Sequence, residues 1–279
     1  MNDGNVQVQA PAKINLSLCI LRRREDGFHE IETLMAPISL ADELLIEQSE
    51  EFQFECDDPS VPSDSSNLVV RAAKSFFERS QIRPRVRITL RKNIPHGAGL
   101  GGGSSDAAAT LLALNDLFEQ HLSRDELVTM AGELGSDIPF FLARSAAICR
   151  GRGELAAPAS VPRLCLLLVK PDFSVATADA YARWQGSEHL PGTDYAPQRF
   201  SGIDLVNELE RPVFEKYAFL ALIKSWLREQ PEVTDALLSG SGSTVFGVLR
   251  DAANGHAVAK RARAELDPKL WACVAETIG

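Results

Sequence analysis

Apolar and polar residues alternate along 6–10 and 14–21, as in strands that bury one face, and Asp26-Gly27 marks a turn after them. Further strands are predicted at 44–47 and 53–55, followed by a polar loop over 57–66. Asn67 then caps a helix carrying Leu68, Ala72 and Phe76 on one face. A strand at 86–90 leads through a glycine-rich stretch to a helix at 104–118, whose Ala107, Leu111, Leu114 and Phe118 recur near the helical period. Ser123, with Glu126 three residues later, predicts a capping box and a helix ending at Gly135. After a strand at 146–150, the Ala- and Pro-rich loop 156–162 is the best boundary between two halves, 1–157 and 158–279. The second half reads as a strand at 164–169, helices near 175–184 and 212–228, strands at 235–238 and 244–249, a helix at 252–265 and a last strand at 270–275. No internal repeat is visible, and the alternation predicts an α+β fold in both halves.

The glycine-rich stretch carries the chemistry. Gly97, Gly99, Gly101, Gly102 and Gly103 sit directly before an alanine-rich helix. Glycine permits positive φ and close backbone approach to a ligand, and a helix N-terminus offers unpaired N–H groups and partial positive charge. The pattern predicts a polyphosphate site. Gly97-x-Gly99-x-x-Gly102 matches the letters of a dinucleotide fingerprint, but the strand at 86–90 is separated from the glycines by six residues and no acidic strand end follows on schedule. A Walker loop would end in Gly-Lys-Ser/Thr, whereas this one ends Gly-Gly-Ser-Ser. A flexible linker is the bland alternative, and linkers do not launch an apolar-striped helix.

Several segments narrow the reading. They are Pro11-Ala12-Lys13-Ile14-Asn15, Asp26-Gly27-Phe28-His29, Pro95-His96-Gly97-Ala98-Gly99-Leu100-Gly101-Gly102-Gly103-Ser104-Ser105, Gly135-Ser136-Asp137-Ile138-Pro139, Gly151-x-Gly153-Glu154 and Ser239-Gly240-Ser241-Gly242-Ser243. Together, from about Ala10 to Phe246, they resemble the GHMP small-molecule kinases, in the branch that phosphorylates a cytidine-diphosphate-linked methylerythritol in the non-mevalonate route to isoprenoids. Mevalonate kinases would show a Pro-Gly-Lys start and a Gly-Glu-His segment, both absent here. The resemblance implies a two-domain fold, ribosomal-S5-like then ferredoxin-like, and ATP with Mg²⁺ as cofactors. The implied acceptor is a small cytidine diphosphate-linked polyol.

The resemblance also implies roles. Asp137 is the expected catalytic base, although Asp-Ile-Pro also suits a plain helix N-cap. Lys13, in an otherwise apolar strand, is its expected cationic partner, with a solvated strand lysine as the alternative. Lys92, Pro95, Gly97, Gly99, Leu100, Gly101, Gly102, Gly103, Ser104 and Ser105 are expected around ATP, the two serines offering hydroxyls to phosphate or Mg²⁺. Lys92 reads equally well as solvated, and His96 as a neutral filler. Asn15 and His29 are expected to fix the acceptor, with its cytosine between Phe28 and Tyr181. Phe28 stands where the family pattern has tyrosine; the ring face survives that change and the hydroxyl does not. A core role for Phe28 and helix packing for Tyr181 are the alternatives. Gly240, Ser241 and Gly242 are expected to close over the substrate diphosphate or, more simply, to turn a hairpin.

Composition limits the rest. The 279 residues carry 29 Lys+Arg against 38 Asp+Glu, a formal net charge of −9, which argues against a nucleic-acid or membrane surface. An acidic chain that binds an anionic nucleotide must concentrate its positive groups locally. The longest apolar run, 164–169, is too short to span a bilayer, and Met1–Asn5 lacks the features of a signal peptide. Five scattered cysteines without C-x-x-C spacing read as reduced thiols in a cytoplasmic protein. No His/Cys/Asp/Glu group has metal-site spacing, so Mg²⁺ should arrive with ATP. The readings that compete with this kinase are a sister kinase with another alcohol acceptor and a non-catalytic metabolite-binding protein.

Overall fold

The computed structural model describes residues 4–119 and 122–278. Met1 to Asp3, part of the stretch read as lacking a signal peptide, lie outside the described residues. In chain order the elements are β1 (Asn5–Arg23), β2 (His29–Gln48), β3 (Gln53–Cys56), α1 (Leu68–Ser80), β4 (Val86–Arg91), α2 (Gly102–Leu117), α3 (Arg124–Leu134) and α4 (Ile138–Ala143). They continue with β5 (Ala147–Gly151), β6 (Leu155–Pro158), β7 (Cys165–Lys170), α5 (Thr177–Arg183), β8 (Gln198–Phe200), β9 (Ile203–Asn207), α6 (Glu210–Lys216) and α7 (Ala218–Glu229). The last are β10 (Val233–Leu238), β11 (Val245–Leu249), α8 (Gly255–Glu265) and β12 (Trp271–Glu276).

β1 and β2 form one long antiparallel hairpin turned at Asp26-Gly27, where Arg24 N–H donates to the Phe28 carbonyl at 2.8 Å. Sequence alternation predicts β1 as two strands. It is one strand, kept continuous by register shifts at Pro11/Lys13, Asn15/Ser17 and Ile20/Arg22. Such irregularities re-aim side chains, and two of the three here fall at Lys13 and Asn15, the buried polar residues of the strand. Ala12, Ile14 and Leu16 are buried against Leu166, Leu168, Leu237 and Phe246 of the second sheet. Lys13 and Asn15, one residue out of phase, therefore face the other way.

The first sheet runs β3-β4-β2-β1-β9-β8, with β5 on β2 and β6 on β5; the second is an antiparallel sheet in the order β10-β11-β7-β12. The predicted boundary at 157/158 falls inside β6, and β8 and β9 return to the first sheet through a parallel pairing of β9 with β1. The predicted helix 212–228 is two helices, broken at Tyr217, whose φ of −123° and ψ of 67° leave the helical region. The caps are as predicted: Asn67 accepts from Val69 N–H at 2.8 Å, and Ser123 with Glu126 completes a capping box. α2 is buried on more than one face because α1, α4 and the β1–β2 hairpin surround it, which fits its Ala-rich composition. Among the described residues no helix is long and apolar enough to cross a membrane.

Candidate active site

A cavity of about 900 Å³ lies over the start of α2, within the size range of small-molecule sites. One end is the glycine loop, the other the Phe28–His29 turn of the β1–β2 hairpin with Tyr181 of α5, and Lys13 and Asp137 also line it. All the predicted site residues line this cavity except Ser105 and Gly242.

The glycine loop owes its path to positive φ. Gly97, Gly99 and Gly101 have φ of 62°, 75° and 72°, a region costly for any residue with a Cβ. A Cβ on Gly99 would lie 2.3 Å from the Ser239 carbonyl oxygen, and one on Gly101 would lie 2.7 Å from Phe141 Cζ. Gly101 caps α2 with no side-chain hydrogen bond, so the first N–H groups of the helix are left for a ligand. The Gly99 carbonyl accepts from Lys13 Nζ at 3.0 Å and from Ser239 Oγ at 3.1 Å. Those bonds tie the first glycine loop to β1 and to the β10–β11 turn. That turn joins an antiparallel hairpin, and its Gly240 and Ser241 form cavity wall while Gly242 does not. Asn207 Nδ2 holds it from behind through the Leu238 and Gly240 carbonyls, at 2.8 and 2.7 Å.

Lys13 is 4% exposed. Its ammonium donates to Asn15 Oδ1 at 2.7 Å and lies 3.8 Å from Asp137 Oδ2. Asn15 is oriented in turn, since its Nδ2 donates to Thr33 Oγ1 at 2.8 Å and Thr33 Oγ1 donates to the Ser17 carbonyl at 2.6 Å. Burial lowers the Lys13 pKa below its ordinary value, and Asp137 offsets part of that. Asp137 occupies the N-cap position of α4 but makes no capping hydrogen bond, so the plain N-cap alternative is not what its carboxylate does. Its side chain is 40% exposed, into the cavity. Burial, and secondarily Asp137, pushes the nearby Cys149 thiol up to about 12, so it stays neutral and inert.

At the aromatic end, Phe28 is 52% exposed with the Arg152 guanidinium 5.0 Å from its ring centroid, which rules out the core alternative. His29 stacks on Tyr181 at 5.3 Å between centroids. Burial lowers the His29 pKa below its ordinary value, with Arg23 adding to the effect. Tyr181 packs against the buried cluster of Leu18, Ile20, Val213 and Phe214 and also lines the cavity.

Two expectations need correction. Lys92 is neither solvated nor free for a phosphate, because its ammonium is buried between the Asp42 and Asp106 carboxylates. Ser105 is 1% exposed and off the cavity wall, since one residue of helical rotation turns it away from Ser104. Sequence reasoning missed Arg152 and Thr177, the latter within 2.8 Å of Ser241 Oγ. The Gly151-x-Gly153-Glu154 pattern was the available signal for Arg152.

The models for the GHMP kinases N terminal domain and the GHMP kinases C terminal match residues 67–145 and 198–268. The chain is 43% identical, over 94% of its length and 93% of the relative's, to 4-diphosphocytidyl-2-C-methyl-D-erythritol kinase from Methylacidiphilum infernorum. The chain belongs to the 4-diphosphocytidyl-2-C-methyl-D-erythritol kinase family of GHMP kinases. The same name attaches to a relative from Caldanaerobacter subterraneus subsp. tengcongensis, 39% identical over 88% of each chain. The crystal structure of a 4-(cytidine 5'-diphospho)-2C-methyl-D-erythritol kinase superposes on this GHMP kinase with a TM-score of 0.81 at 35% identity, covering 98% of this chain and all of that one. The two-domain fold expected from the sequence is thus the fold of this kinase.

Proposed function

We propose that this kinase transfers the γ-phosphoryl group of ATP to the 2-hydroxyl of 4-diphosphocytidyl-2-C-methyl-D-erythritol, giving the 2-phosphate and ADP. The observation that carries the proposal is the pairing of Asp137, uncommitted to its helix, with buried Lys13 in a cavity that joins the glycine loop to the aromatic end. Phosphoryl transfer needs cradled phosphates, an oriented hydroxyl and charge compensation.

The first amides of α2 and the positive end of its dipole hold the ATP phosphates. Asp137 accepts the proton of the acceptor hydroxyl as that oxygen attacks phosphorus. Lys13, anchored by Asn15 and the Gly99 carbonyl, orients the Asp137 carboxylate 3.8 Å away and faces the developing negative charge. Phe28 and Tyr181 take the cytosine through their ring faces, while Asn15 and His29 fix the acceptor's polar groups. Gly240 and Ser241 wall the cavity where the acceptor diphosphate lies.

The donor chemistry fits Mg²⁺ arriving with the nucleotide. Among the described residues no group of three His, Cys, Asp or Glu could hold a metal by itself, whereas Ser104 faces the cavity and Ser105 Oγ is buried without a hydrogen-bond partner. Ser104, whose hydroxyl faces the cavity, would hold the ion beside the phosphates, where it would offset the charge in transfer. The site and the family's metabolic role support a cytoplasmic enzyme acting on a small molecule, not on nucleic acid or a membrane.

The test is coupled ADP release with ATP-Mg²⁺ against a panel of acceptors, followed by phosphorus NMR of the product. Turnover with the cytidine-linked acceptor and one new phosphomonoester supports the proposal. Turnover with homoserine or mevalonate alone would move the chain to a sister specificity, and silence with every acceptor would favour a binding protein.

A further inference from the structure

The amides that lead into the glycine loop are held by carboxylates. Lys92 N–H donates to Asp57 Oδ1 at 2.9 Å, and Asn93 and Ile94 N–H both donate to Asp42 Oδ1, at 2.6 and 2.8 Å. The Asn93 side-chain amide donates to the Ala41 carbonyl at 2.9 Å, so β2 grips the connection twice. Asp42 is fully buried, and its other oxygen pairs with the Lys92 ammonium. Lys92 in turn donates to Asp106 Oδ2 at 2.8 Å, in the first turns of α2.

These contacts converge on the start of the nucleotide helix. A Cβ placed on Gly102, the first residue of α2, would lie 3.0 Å from Ile94 Cγ2 and 3.3 Å from Lys92 Nζ. The beginning of α2 therefore seats against two side chains whose positions both depend on Asp42. The carboxylate shares its charge among two backbone amides, of which that of Ile94 is buried, and one ammonium, and the buried groups would be costly to leave unpaired. Asp106, by contrast, has one partner, and its Oδ1 is buried without any. If Asp42 is lost, Lys92 keeps only Asp106, and the amides of Asn93 and Ile94 must find acceptors by moving.

We propose that Asp42 is the positioning residue of the nucleotide loop, a carboxylate that sets ATP affinity without touching ATP. It acts through Ile94 and Lys92, which fix where the unpaired amides of α2 point. The inference rests on the kinase reading of the cavity, and it assigns that reading a specificity for one end. Asp42 lies 13 residues along β2 from His29, and none of its hydrogen-bond partners belongs to the aromatic end. Its removal should therefore loosen nucleotide binding and spare the acceptor.

The experiment compares wild type with Asp42→Ala and the near-isosteric Asp42→Asn. It reads ADP dissociation by calorimetry, and kcat and the KM of each substrate by coupled assay. Asp42→Ala should weaken ADP and raise the ATP KM by roughly ten- to a hundred-fold, the effect of losing charge-assisted hydrogen bonds. The acceptor KM and kcat should stay within about threefold, a split that general destabilisation would not produce. Asp42→Asn keeps an acceptor for the two amides but no counter-charge for Lys92, so it should fall between; if Asp42→Ala does not fold, this variant decides. Unchanged ADP affinity in the variants, or a lower kcat with both KM values unchanged, overturns the inference alone. A wild-type protein that binds no ADP overturns the kinase reading and the inference together.

Discussion

Replacing Lys13 by methionine separates electrostatic catalysis from folding. The substitution keeps an unbranched side chain one atom shorter and removes a charge on a residue that is 4% exposed. It deletes hydrogen bonds to Asn15 Oδ1 at 2.7 Å and to the Gly99 carbonyl at 3.0 Å, and it strips Asp137 of a cation 3.8 Å away. Removing one preorganised electrostatic contact of this kind lowers kcat by about 10²–10³, or about 3–4 kcal/mol of barrier. The effect on stability should be much smaller. The Asp137 carboxylate is 40% exposed and screened, so the ion pair itself is worth at most about 1 kcal/mol. The two lost hydrogen bonds are offset by relief from burying an ammonium, which by itself costs several kcal/mol. The variant should therefore melt within a few degrees of wild type while turning over at least a hundred-fold more slowly. Calorimetric melting and coupled ADP release check the two halves. A kcat within threefold of wild type, or a rate loss matched by a collapse in melting temperature, would refute the reasoning.

Acidity follows from the same burial. The folded Lys13 pKa lies below its ordinary value of 10.5, chiefly through desolvation. Between the folded value and 10.5 the unfolded chain binds more protons than the folded one, so this residue's contribution to stability rises with pH across that window. Wild-type turnover should fall over the same alkaline window as the ammonium is lost. Lys13→Met should lack both the rise in stability and the titrating limb of the rate profile, as pH-dependent melting and pH–rate curves would reveal.

Three further outcomes are expected. Gly99→Ala must place a Cβ 2.3 Å from a backbone oxygen at a φ of 75°, so it should cost about 2–5 kcal/mol in urea unfolding and reduce turnover; a cost under 1 kcal/mol would show that the two glycine loops part freely. Phe28→Ala should leave stability nearly unchanged, the ring being 52% exposed, yet weaken the acceptor by about 1–3 kcal/mol while sparing the ATP KM. Glu210→Ala leaves the buried ammonium of Lys224, now 2.6 Å from Glu210 Oε2, with no carboxylate and only the Asp194 carbonyl, and should destabilise the second half by about 3–5 kcal/mol in urea.

Local signals made much of this molecule legible in its sequence. The caps at Asn67 and Ser123 depend on side chains a few residues apart, and they form as the spacing predicts. The glycine loop was legible because its backbone excludes other residues. The pairing of β9 with β1 was not, since it involves two residue pairs some 190 positions apart and leaves no periodic trace in a short, irregular segment. β6 was hidden because its residues are exposed and read as loop. Lys92 was misread for a related reason: its partner Asp42 lies 50 residues earlier, and only the pairing of β2 with β4 brings them together. Asp137 could be named from its motif, but its lack of a capping bond is a fact of geometry alone.

The central claim, that Asp137 takes the hydroxyl proton of a cytidine-linked acceptor, is tested most directly by steady-state ADP release with that acceptor, wild type beside Asp137→Ala. Loss of a general base predicts a kcat lower by about 10²–10⁴ with both KM values within a few-fold of wild type. Turnover within threefold of wild type in the variant would contradict the account and require another base.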